Sequence, residues 1–69
     1  MSKFETFETE AYSLERGDVI RIVEGVIVID SVKYSIELDR IVLEEHGTGE
    51  LHFLPRPTVV LMVGSVELP

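Results

Sequence analysis

An all-β fold is predicted, a small antiparallel barrel of five to six strands or a compact sandwich, and three features of the sequence carry it. Residues 19–32 are dominated by β-branched side chains, which are stiff at χ1 and pack well on a pleated surface. Strand-like segments alternate with turn residues at roughly ten-residue spacing, as in small sandwiches and barrels. No segment sustains the apolar period of a long helix.

Each element follows in order. Residues 1–10 hold a tandem triplet, Phe4-Glu5-Thr6 then Phe7-Glu8-Thr9. Ser2 with Glu5 matches a capping box, so one helical turn is an alternative. The period suits neither a strand nor a long helix, and the segment reads as a flexible acidic arm ahead of a single domain over 11–69. Phe4 and Phe7 are then apolar anchors for the barrel or for a neighbour. The Arg16-Gly17-Asp18 turn introduces a strand over 19–23. Glu24-Gly25 is either a hairpin turn, with Gly supplying positive φ, or a bulge in one bent strand reaching Val32.

Residues 35–45 read as a third long strand with a phase change. Ile36 and Leu38 share one parity, Ile41 and Leu43 the other. Side chains alternate with period 2, so a bulge or sharp bend is expected near Asp39-Arg40. Gly47-Thr48-Gly49 is a turn, and 50–54 is a short strand with Leu51 and Phe53 inward. Pro55-Arg56-Pro57 lacks two amide donors and forms a stiff corner. Residues 58–63 are the last core strand, Gly64-Ser65 breaks it, and 66–68 add a short edge piece. Val59-Val60-Leu61-Met62-Val63 has no polar alternation and should be buried on both faces. The arm or a second subunit would cover it, so Val59, Leu61 and Val63 are interaction candidates and a homodimer is expected.

Composition narrows the function classes. A chain of 69 residues buries only about 60% of its unfolded surface, so the core is thin. Cysteine is absent, which excludes disulfides and thiolate metal sites. Thirteen acidic residues against six basic give a net charge of −7. Phosphate neutralisation needs Lys and Arg, so direct nucleic-acid binding is not expected, while a basic protein partner is compatible. No apolar run reaches the roughly 18 residues of a membrane span, and the first residues do not resemble a signal peptide. A cytoplasmic protein is expected.

The polar hairpin around Gly47-Thr48-Gly49 is the main chemical candidate. A three-residue loop would set His46 opposite Glu50 and Glu44 opposite His52. Alternation would then gather Glu44, His46, Glu50 and His52 on one face, a donor set suited to zinc or a similar divalent ion. A slip of one residue disperses them, and a solvated outer strand face explains the same residues. No catalytic triad is suggested, and so small a barrel leaves little room for a substrate cleft. No enzyme activity and no cofactor are expected. Arg56, held between two prolines, is a candidate recognition tip.

Leu14-Glu15-Arg16-Gly17-Asp18-Val19-Ile20, Gly25, Ile29-Asp30-Ser31-Val32 and Leu51-His52-Phe53-Leu54-Pro55 together resemble small SH3-like barrel proteins of actinobacteria and bacteriophages. That resemblance implies a fold and no defined activity. Gly49-Glu50-Leu51 and Arg56-Pro57-Thr58-Val59-Val60 are also similar to the phosphate-binding cassette of cyclic-nucleotide-binding jelly rolls. That second resemblance implies Glu50 on a ribose hydroxyl and Arg56 on the phosphate. It lacks the short helix between them and much of that domain's length. The sequence therefore predicts a protein-interaction module, of phage or accessory type, that binds another protein and in one form blocks a basic site. The alternative is a small ligand- or metal-binding domain.

Overall fold

The computed structural model describes residues 6–69. Six strands follow one another: β1 (Phe7–Glu10), β2 (Asp18–Ile22), β3 (Gly25–Ser35), β4 (Arg40–Glu45), β5 (Leu51–Pro55) and β6 (Val59–Ser65). A single 3-10 turn over Ala11–Ser13 links β1 to the rest. All neighbouring strands are antiparallel, in the order β1-β6-β2-β3-β4-β5. The small antiparallel all-β expectation holds. The sheet is not closed, because β1 and β5 remain its two edges.

The inner face is built on isoleucine and the outer one on valine. Ile20 pairs with Ile27, and both are buried, as is Ile29. Val19 pairs with Val28 and Arg21 with Val26 on the opposite face. Ile20, Ile29, Ile41 and Leu43 are completely enclosed, and Ala11, Leu14, Ile27 and Val60 complete the core. Among the described residues no polar side chain is buried.

Of four sequence readings, the first is open between a hairpin and a bulge and resolves to the hairpin, and the other three are corrected. Ile22 pairs with Gly25, so β2 and β3 form a hairpin over Val23-Glu24, with the left-handed φ of 143° at Gly25. The bend lies later, where the β3–β4 register slips between Ile29 and Ser31 and leaves Asp30 as the extra residue. The 35–45 segment is not one bulged strand. Ser35 pairs with Arg40, and residues 36–39 are a hairpin loop. Asp39 takes a left-handed φ of 53°, which Asp tolerates better than most residues. The Leu38 N–H donates to Ser35 Oγ (3.2 Å), and the Tyr34 hydroxyl donates to the Asp39 carboxylate.

The third concerns β5. Leu43 opposes His52 and Val42 opposes Phe53, so His52 and Leu54 face the core while Leu51 and Phe53 face out, half-exposed. The fourth concerns the chain ends. Phe7–Glu10 is not arm but edge strand, paired with β6 from Phe7↔Met62 to Glu10↔Val59. Phe4 and the rest of 1–5 lie outside the described residues. β6 runs through Gly64 to Ser65, and 66–68 do not form a strand.

The Gly17 turn is locked from both sides. Its N–H donates to the Ile29 carbonyl and its carbonyl accepts from Val66, each at 2.8 Å. Its φ is 96°, and a Cβ there would lie 2.4 Å from the Val66 carbonyl oxygen. Only glycine fits without a backbone shift. Asp18 completes the turn by accepting the Glu15 N–H at 2.8 Å.

Candidate functional site

The loop between β4 and β5 decides which polar residues meet. The Gly49 N–H donates to the Glu45 carbonyl (2.9 Å), and the Glu45 N–H donates to the Glu50 carbonyl (2.8 Å). The loop is therefore the four residues His46-Gly47-Thr48-Gly49, with φ of 96° at Gly47 and 73° at Gly49. Thr48 Oγ1 accepts the Glu50 N–H at 3.1 Å. One residue more than expected slides the register by one position, and the side chains change faces.

The four expected metal donors are thereby separated. Glu44 lies on the outer face and accepts from Ser31 Oγ at 3.1 Å. His46 Nδ1 lies 3.0 Å from Asp30 Oδ1, an oxygen that also accepts from Arg16 Nε at 3.3 Å. The His46 hydrogen bond is the main reason that the Asp30 carboxyl sits below its ordinary pKa, with Arg16 assisting against the opposing effect of desolvation. Glu50 and His52 do stay together, and the residue that joins them is Glu45. His52 Nε2 lies 3.3 Å from Glu45 Oε1. The donor atoms of Glu45, Glu50 and His52 all fall within 4.8 Å of one another.

This trio stands at the open mouth of the curled sheet. Glu45 and His52 follow Leu43 and Leu54 in the inward parity, and Ile29 pairs with Glu45. Their side chains are only 19% and 22% exposed. Facing them across a groove of about 370 Å³ are Ile22, Glu24 and Ile27 of the β2–β3 hairpin. The sequence contained this set in the alternative loop length. Glu44 and Glu45 are neighbours in sequence, so they trade faces with the register.

The apolar candidates form a second surface. Leu61 pairs with Arg21 and Glu8, on the face opposite to Ile20 and Met62. Val63 lies at the β2–β6 bulge and lines a shallow depression with Val19, Arg21, Gly64 and Val66. Val59 shares the outward parity beside Glu10 and is half-exposed. The expected burial of β6 on both faces is therefore corrected. Val60 and Met62 turn to the core, while β1 extends the sheet beside β6 instead of covering its outer side. Phe7, in register with Met62, is half-exposed at the sheet edge.

Arg56 sits at a third place. Its guanidinium lies 5.7 Å from the Tyr34 ring centroid, and Tyr34 meets Tyr12 edge-on at 6.3 Å. The Tyr34 hydroxyl is held above its ordinary pKa, chiefly by its hydrogen bond to Asp39. Glu50 and Arg56 flank opposite ends of β5, a separation of about 20 Å at strand rise. They are not brought together on one nucleotide-sized ligand.

No protein-family model, curated protein or solved structure matches this chain. No helix among the described residues is long and apolar enough to cross a membrane.

Proposed function

We infer that this chain is a non-enzymatic protein-interaction module that pairs with a second copy of itself and engages another protein. The observation that carries the reading is the outer face of β6-β2-β3. A half-solvated antiparallel sheet alternates apolar-in with polar-out. Here Val19, Val26, Val28, Leu61 and Val63 face out around Arg21, and Lys33 is the next charge further along β3. Contiguous apolar surface of this kind marks an interaction site.

Register supports a second copy as the occupant. Glu8, Leu61, Arg21 and Val26 form one row across four strands. A two-fold axis through Leu61 stacks each Leu61 on its counterpart and brings Arg21 opposite the partner's Glu8. Such a contact is self-complementary, as an isologous interface requires. The net charge of −7 leaves the rest of the dimer suited to a basic protein, including one whose basic site it blocks. The β2–β5 meander, with β6 returning to pair with β2, supports an SH3-like reading, and the role proposed with it is that of a cytoplasmic accessory protein of phage type.

Sedimentation equilibrium over a concentration series tests this reading. The intact chain should sediment as a dimer, and Leu61→Glu as a folded monomer. Dimerisation should survive high salt, since its core is apolar, whereas capture of a basic partner should weaken. A chain that stays monomeric at every concentration refutes the self-association.

A further inference from the structure

We propose that Glu45, Glu50 and His52 bind a divalent transition-metal ion, with zinc the best match, at the mouth of the curled sheet. The site is independent of the apolar face and of the reading built on it.

The donor chemistry is mixed, one imidazole nitrogen with two carboxylates; both are zinc donors, and open zinc sites use three protein ligands plus a solvent position. Neighbouring donors about 2.0–2.1 Å from a tetrahedral ion lie about 3.3 Å apart. His52 Nε2 and Glu45 Oε1 already stand at 3.3 Å. Glu50 joins within 4.8 Å and needs only a side-chain rotation, because it is exposed at the end of the hairpin.

The placement of these groups is the second line of argument. Glu45 is a carboxylate at the end of the inner face, beside His52, about four-fifths buried and directly across from Glu50. Like charges opposed on a strand pair are unfavourable, and so is a poorly solvated carboxylate. Among the described residues no Lys or Arg pairs with Glu45, Glu50 or Glu24, and His52 is the one ion-pair partner of Glu45. A divalent cation removes both penalties at once. Glu24 lines the same groove. Binding would tie the β4–β5 hairpin to the β2–β3 hairpin and draw in the mouth that strand pairing leaves open.

The ring signals of both histidines and calorimetric heats, followed as zinc chloride is added, test the proposal. The expected result is one ion per chain, a large perturbation of His52 and little change at His46. His52→Asn and the exposed Glu50→Gln should each weaken binding at least about tenfold, the loss typical even of outer-shell removals. His46→Asn should bind as the parent does. Circular dichroism confirms that each variant is folded, and Glu50→Gln stands in should His52→Asn fail to fold. Perturbation centred on His46, unchanged binding in both ligand variants, or no response at equimolar zinc overturns the site.

Discussion

The two halves of this sheet break the same rule in opposite directions. In β6-β2-β3, apolar side chains occupy the face where water belongs, with Val19, Val26, Val28 and Leu61 outward behind the isoleucines. In β4-β5, charged and imidazole side chains occupy the end of the face where core belongs, with Glu45 and His52 following Leu43 and Leu54 inward. The outer side of that second half is ordinary, since Lys33, Arg40 and Glu44 interrupt Val42, Leu51 and Phe53. Each departure is unfavourable for an isolated monomer, through exposed apolar area in one half and desolvated charge in the other. The proposed second copy would relieve the first departure and the proposed ion the second.

The contrast between faces of one strand gives the largest expected effect. Ile29 is fully enclosed, so Ile29→Ala should destabilise by about 3 kcal/mol through lost burial and a residual cavity. Val28, its neighbour on the outer face, can become Thr with a stability change below about 1 kcal/mol in the monomer. The dimer should nonetheless loosen. Urea denaturation and sedimentation on the two variants separate these effects. Equal losses of folding stability at both positions would erase the distinction between the faces.

A smaller effect is expected at Asp30, the bulge that marks the boundary between the halves. Folding holds its carboxyl below the ordinary value of 3.8, first through His46 and then through Arg16. The folded chain therefore binds fewer protons there than the unfolded chain. The resulting stabilisation is present above 3.8 and is lost as pH falls through the lower folded value. Melting temperatures of the parent and Asp30→Asn should differ near neutral pH and converge in acid. The gap is small because the pair is still about one-third exposed and screened by solvent. A gap that widens below 3.8 would contradict the assignment.

The strand-forming segments and the inner isoleucines were readable because alternation and turn residues agree over residues 17–32. Two loops were not. Ile36 and Leu38 against Ile41 and Leu43 show a phase change, and period 2 alone cannot distinguish a bulge from a hairpin. The deciding detail is the left-handed Asp39, fixed by Tyr34, Ser35 and the backbone around it. Gly47-Thr48-Gly49 likewise permits a three- or four-residue loop, and backbone hydrogen bonds between Glu45, Gly49 and Glu50 select the longer one. That single residue sends Leu51 and Phe53 outward, disperses Glu44 and His46, and brings Glu45 to His52. That the hairpin carries imidazole and carboxylate groups is legible in the sequence, while which of them meet depends on register.

Methyl nuclear Overhauser effects between differently labelled copies, mixed in one sample, test the central claim most directly. The account predicts intermolecular contacts among Leu61, Val63, Val26 and Val28 methyls, centred on Leu61 meeting its own counterpart. Intermolecular contacts confined to Leu51, Leu54 or other β5 side chains, or none at concentrations where the chain sediments as a dimer, would contradict it.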